Sequence, residues 1–262
     1  VIPADMGIQR TPRSGPPVAA LCLGINGYEP LAKLHNCERD ADAIASEVRG
    51  LPDGLNGTCA ATVRKGNRLN NKNAMISAVR EFARGINKEA PPRMVMVSFS
   101  GHGFQIGDKI LLAPRSAAKD EDKLKEEALS HDEIFQILYE EIHKHLPNND
   151  VFYLVILDVC RETLGGVPSA VGFSPTLDPI YREGRQSMRW ALCAGTNRGS
   201  VASDEETFSS HLISHECGFF EPNVPVRTAM ELVREKVLAR HPDQSPLMTM
   251  DHIPHEFLVY KS

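Results

Sequence analysis

Long hydrophobic runs are missing from this chain. No apolar stretch approaches the roughly 18 residues needed to cross a bilayer, which excludes a membrane-spanning helix. An excess of positive charge is missing too: the formal net charge is −5, with acids and bases interspersed, so the basic stripe of a nucleic-acid binder is absent. The six cysteines (22, 37, 59, 160, 193 and 217) include no CxxC pair, which argues against a structural zinc site or a thioredoxin-like motif. Three of them lie in apolar strand-like or pre-strand segments, where buried free thiols are common, so reduced thiols in a cytoplasmic setting are expected. The chain opens on Val1, and no cationic segment followed by an apolar one marks a signal peptide. The expectation is therefore a domain cut from a longer protein, with residues 1–17, rich in Pro, Gly and Arg, as a linker or arm.

What is present suits a folded α/β domain. The 262 residues are 42% hydrophobic and 24% charged, enough to bury one sizeable core. Short apolar runs alternate with amphipathic segments, the pattern of βαβ units around a mostly parallel sheet. Val18–Ile25 reads as the first strand, closed by Asn26-Gly27, and Cys59–Val63, Met94–Phe99 and Val151–Leu157 as the next parallel ones. Trp190–Ala194 reads as a fifth and Phe257–Tyr260 as the last. Helical spacing runs through Ile44, Ala45, Val48 and Leu51, through Met75, Val79, Phe82 and Ile86, and through Val226, Met230, Val233 and Val237. A hairpin around Gly107-Asp108 leads into Ile110–Ala113, and Lys119–Glu127 is a charge run expected as a solvated loop or the start of a helix. Ser130 with Glu133 forms a capping box. The stretch from Arg161 to Arg189 is rich in Gly, Pro and Ser without periodicity, a length that usually marks a functional or mobile loop. The predicted fold is a three-layer α/β domain with a mostly parallel sheet of about six strands flanked by helices.

Ligands of open parallel sheets bind at the carboxyl ends of the strands. Two chemically suggestive segments fall there: Ser100-Gly101-His102-Gly103, and Asp158-Val159-Cys160 after the next parallel strand. A cysteine attacks as the thiolate, and a neighbouring histidine serves as base and then as acid for the leaving amine. Glycines around the histidine leave backbone amides free to hold an oxyanion. Either residue alone also suits a bland role, a core thiol or a turn histidine; their joint placement at adjacent strand ends is what favours catalysis.

These segments, together with Asn36-Cys37-Glu38-Arg39-Asp40-Ala41, resemble the caspase-like clan of cysteine peptidases, specifically its paracaspase and metacaspase branches, over about Val18 to Tyr260. The resemblance implies a caspase-like fold in residues 18–262, with a large segment of about 18–165, a connecting loop 161–189 and a small segment of about 190–262. It implies His102 and Cys160 as the catalytic dyad, with the backbone amides of Gly103 and Cys160 holding the oxyanion. True caspases carry Gln-Ala-Cys at the nucleophile, whereas Asp158 here lies two residues before Cys160. In the para- and metacaspase branches that aspartate lines an acidic S1 pocket, and Asp40 and Asp204 match its other carboxylates. A guanidinium suits such a pocket, because carboxylates accept its paired hydrogen bonds. Asp40 and Asp42 suit a helix first turn equally well, and Glu205 could serve in place of Asp204.

The implied substrates are proteins or peptides with Arg, or Lys, at P1; no nucleic acid or membrane partner is implied. Calcium-dependent metacaspases carry a run of aspartates after the histidine motif, but the hairpin Ile106–Pro114 has only Asp108, which argues against a metal. Asp243-Gln244-Ser245-Pro246-Leu247 nonetheless looks metacaspase-like. No cofactor is expected. Clan members are often cut between large and small segments, so Arg182, Arg185 and Arg189 are candidate self-cleavage sites, with Lys119, Lys123 and Lys125 as a second region. A monomer, or a homodimer through the last strand, is consistent with the resemblance. The competing function is a catalytically silent caspase-like scaffold that binds protein partners. A phosphate loop at Gly101–Gly103 fits poorly, because a hairpin rather than a helix follows it.

Overall fold

The computed structural model describes residues 17–52, 59–106, 109–118, 120–146, 151–159, 162–163, 188–195, 207–244, 246–249 and 257–259. The strands, in chain order, are β1 (Val18–Gly24), β2 (Ala60–Lys65), β3 (Met94–Gly101), β4 (Gly103–Ile106), β5 (Lys109–Leu112), β6 (Leu129–Ser130), β7 (Phe152–Val159), β8 (Glu162–Thr163), β9 (Arg189–Ala194) and β10 (Leu247–Thr249). The helices are α1 (Cys37–Gly50), α2 (Lys72–Gly85), α3 (Glu121–Glu127), α4 (His131–Glu141), α5 (Phe208–Leu212) and α6 (Val226–Arg240). The main sheet runs β10-β9-β7-β3-β1-β2, parallel throughout except for the antiparallel edge strand β10. A smaller sheet runs β6-β5-β4-β8.

Strands β1, β3 and β7 are buried along their whole length, which explains why they read as continuous apolar runs. The side-chain period of two sorts their residues onto opposite faces. Leu21, Leu23, Val97, Phe99, Val155 and Leu157 join a first core with residues of α2 and α4. Cys22, Met96, Leu154 and Ile156 join a second core with residues of α1, α5 and α6. The chain leaves β1 for the outer strand β2, then returns to β3 on the other side of β1, so the direction of winding reverses between β1 and β3. Such a switch point is where doubly wound sheets place their ligands. Gly24 stands opposite Ser100, and Ser100 opposite Asp158, so β1, β3 and β7 end at one edge of the sheet.

Local sequence accounts for most helix starts. Ser130 and Glu133 form the expected capping box, and Asn71 and Asp120 cap α2 and α3. Helix α1 begins at Cys37, ahead of the periodic residues that announce it. Its first turn is capped from a distance: the Glu38 N–H donates to Asn26 Oδ1 (3.2 Å), and the Asn26 N–H donates to Glu38 Oε1 (3.3 Å). Gly24 permits this approach, since a Cβ there would lie 2.4 Å from the Cys37 carbonyl oxygen.

The charge run takes the second of its two expected forms: Glu121–Glu127 is a helix, which contains Lys123 and Lys125. Two expectations are corrected. The segment after Cys160 is not wholly irregular, because Glu162–Thr163 pairs in parallel with Phe104–Gln105. The sixth strand of the main sheet is Leu247–Thr249 rather than Phe257–Tyr260. Within that C-terminal segment, Phe257 stacks on Phe152 at 4.8 Å and Leu258 bridges to Pro225. These contacts direct residues 257–259 onto the second core instead of extending the sheet.

Candidate active site

His102 sits between β3 and β4, where its backbone and ring are each held. Its N–H donates to the Tyr28 hydroxyl (2.9 Å), and its carbonyl accepts from the Ala113 N–H (3.0 Å). Its Nε2 lies 2.7 Å from the Ala32 carbonyl oxygen. A carbonyl can only accept, so this contact places the ring proton on Nε2 and leaves Nδ1 as the basic nitrogen. Both Tyr28 and Ala32 belong to the loop between β1 and α1. Asn26 organises that loop, its carbonyl accepting from Tyr28 and Leu34 and its Nδ2 donating to the His35 carbonyl (3.0 Å).

Val159, the residue before Cys160, pairs with Gly101, the residue before His102. Cys160, Asp204, Glu205, Arg182 and Arg185 lie outside the described residues, as does Lys119. Gly103 is the buried first residue of β4, opposite Leu112. Arg189 is the first residue of β9, opposite Phe152.

Asp40 and Asp158 are brought together. Both are buried, at 3% and 5% exposure, although one comes from the first turn of α1 and the other from the end of β7. Helix α5 joins them. The Thr207 hydroxyl donates to Asp40 Oδ2 (3.1 Å) while accepting from the Ser210 N–H (3.1 Å). The Ser209 N–H donates to Asp158 Oδ2 (2.8 Å). Burial pushes the Asp158 carboxyl up to about 6 and the charge of Asp40 adds to this, while hydrogen bonds from Ser209 and the Phe208 backbone oppose it. Exposed Arg39 approaches Asp40 Oδ1 at 3.8 Å. Gly195 closes over the pair, and a Cβ there would lie 3.0 Å from Asp158 Oδ1. Buried Gln244 donates to the Gly195 carbonyl (3.0 Å), which places Gln244 beside this pocket.

Thr207 and Ser209 went unnoticed in the sequence. A Thr three residues before Ser210, ahead of Phe208 and Leu212, is an N-cap pattern that could have revealed α5. Tyr28 and Ala32 were missed as well, and for Ala32 no signal exists, because it acts through its backbone.

The five described cysteines, 22, 37, 59, 193 and 217, are buried. Burial pushes the Cys22 thiol up to about 11 and that of Cys193 to about 12, so neither is an activated nucleophile. Among the described residues no helix is long and apolar enough to cross a membrane.

Comparison with known proteins agrees with this architecture. The caspase-domain family matches residues 18–258. The crystal structure of caspase-1 from Spodoptera frugiperda is similar in fold, with a TM-score of 0.67 and 13% identity over 100% of this chain and 97% of that one. No curated protein matches in sequence. With the family matched across nearly its whole length, the chain belongs to the caspase-domain family and is a cysteine-type peptidase.

Proposed function

We propose that this peptidase is an endopeptidase that cuts after Arg, or Lys, through a His102–Cys160 dyad. The observation that carries the specificity is the buried pair Asp40 and Asp158, joined by α5 at the edge of the sheet where β3 delivers His102. Two carboxylates in one buried pocket repel each other, and a cationic P1 side chain relieves that repulsion. An acidic P1 residue would add to it. Asp204, or Glu205, completes the pocket in this reading.

In the proposed cycle, Nδ1 of His102 takes the Cys160 thiol proton, and the thiolate attacks the carbonyl carbon of the P1 residue. The backbone amides of Gly103 and Cys160 hold the oxyanion. Collapse of the tetrahedral intermediate breaks the C–N bond, and His102 returns its proton to the departing amine. A water molecule, deprotonated by His102, then hydrolyses the thioester and regenerates the thiol. The Ala32 carbonyl steadies the imidazolium through Nε2 during both halves. No step requires a metal or cofactor. The enzyme acts on cytoplasmic proteins, as a monomer or as a homodimer formed through the sheet edge at β10. Self-cleavage is assigned to Arg182 and Arg185 ahead of Arg189, whose backbone is part of a strand ladder.

The test is hydrolysis of matched fluorogenic peptides with Arg, Lys or Asp at P1, against a Cys160→Ala control. Turnover of the basic peptides that vanishes in the control is expected. Equal turnover of the Asp peptide would refute the acidic pocket, and no turnover of any peptide would favour the silent scaffold.

A further inference from the structure

The Tyr28 side chain is 1% exposed and makes three contacts on one line of structure. Its hydroxyl accepts from the His102 N–H at 2.9 Å. The same hydroxyl donates to the Ala113 carbonyl oxygen at 3.3 Å, and Ala113 in turn donates its N–H to the His102 carbonyl. The Tyr28 ring meets the His102 imidazole edge-on, with centroids 4.6 Å apart and planes at 61°. A second observation points the same way. A Cβ on Gly101 would lie 2.3 Å from the Tyr28 oxygen, so the glycine before His102 is the residue that admits this hydroxyl.

We infer that Tyr28 is the positioning residue of the catalytic histidine, its hydroxyl fixing the His102 backbone and its ring fixing the imidazole edge-on. This inference rests on the His102–Cys160 reading. The Ala32 carbonyl fixes one nitrogen of the ring but leaves it free to swing about that contact. Tyr28 removes the remaining freedom, because it grips the residue at the peptide and at the ring face together. Nδ1 then keeps a fixed direction for the thiol proton in acylation and for the water proton in deacylation. A proton-transfer group that wanders by about 1 Å can lose up to a hundredfold in rate, whereas substrate binding elsewhere is untouched.

The experiment compares Tyr28→Phe with the parent enzyme, with His102→Ala and Cys160→Ala in the same assay. The phenylalanine keeps the ring and removes only the hydroxyl. We expect kcat to fall roughly tenfold or more with KM within about twofold, since positioning acts on the chemical step alone. The alkylation rate of Cys160 by iodoacetamide, corrected with the Cys160→Ala blank and for the folded fraction by circular dichroism, should fall in parallel. That correction keeps the test decisive if the variant is partly unfolded. A Tyr28→Phe enzyme whose kcat and alkylation rate per folded molecule match the parent, beside an inactive His102→Ala, would overturn the inference and leave the dyad standing. A His102→Ala enzyme of parental activity would overturn both.

Discussion

Replacing Asp158 by Asn should stabilise the protein while damaging its activity. The carboxylate is 5% exposed, and burial raises it from 3.8 to about 6. An acid that holds its proton more tightly in the folded state makes folding less favourable as pH rises. The penalty is absent below about 3.8, grows between there and about 6, and is complete above that. At roughly 1.4 kcal/mol per pH unit, the interval amounts to about 3 kcal/mol. Asparagine has nearly the same shape, and its Oδ1 can still accept from the Ser209 N–H, but it never ionises. Urea denaturation of both proteins at pH 4 and pH 8 measures the effect. The variant should gain on the parent by about 2 to 3 kcal/mol between the two pH values, because the parent alone loses that amount. In the same range, kcat/KM of the parent on an Arg peptide should fall as the pH drops through about 6, as the pocket loses its charge. The variant should lack this acid limb and be slower by on the order of a hundredfold at pH 8, the scale of losing one partner of a buried ion pair. A stability difference independent of pH would refute the argument that Asp158 is a buried carboxyl ionised at neutral pH.

Two further predictions concern other parts of the molecule. Ser130→Ala removes one half of the α4 capping box, so it should lower stability by about 1 kcal/mol in urea denaturation, with peptide hydrolysis unchanged. Chelation of calcium should leave turnover of the Arg peptide within about twofold, given that Asp108 is the only acid of the hairpin Ile106–Pro114. A loss reversed by added calcium would establish a metal requirement.

What could be read in the sequence depended on whether the chemistry was local. His102 and Asp158 stand at the ends of the two longest buried strands, so the apolar runs of β3 and β7 pointed straight at them. Asp40 was singled out only by the resemblance of Asn36–Ala41 to the clan, since its place in the first turn of α1 suits a helix-dipole role equally well. By contrast, the true start of α1 depends on Asn26, twelve residues away in the chain, and only the β1 end packed on Cys37 brings the two together. The link between Asp40 and Asp158 passes through Thr207 and Ser209, separated from Asp40 by a sequence distance that no pattern spans. Leu247–Thr249 is three residues long, too short for an alternation to show, and its pairing with β9 makes it a strand. Phe257 and Leu258 looked more strand-like, yet a stacking contact with Phe152 and a bridge to Pro225 claim them. The charge run before α4 left loop and helix both open, because its one apolar anchor, buried Leu124, is too few for a period.

The two cores on either face of the sheet support different parts of the proposed site. His102 rests against Tyr28, whose ring belongs to the core shared with α2 and α4, whereas Asp158 points to the opposite face, toward Phe208 and the core under α1 and α6. The sheet is thus a partition wall between the seat of the histidine and the carboxylate proposed to read the substrate side chain. If the pocket reads P1 as proposed, changes packed behind α5 would retune which residue is accepted while the histidine keeps its seat. Lineages or engineers could vary the two nearly independently, except at the stretch from Asn26 to Asp40, which threads from one side to the other and holds both.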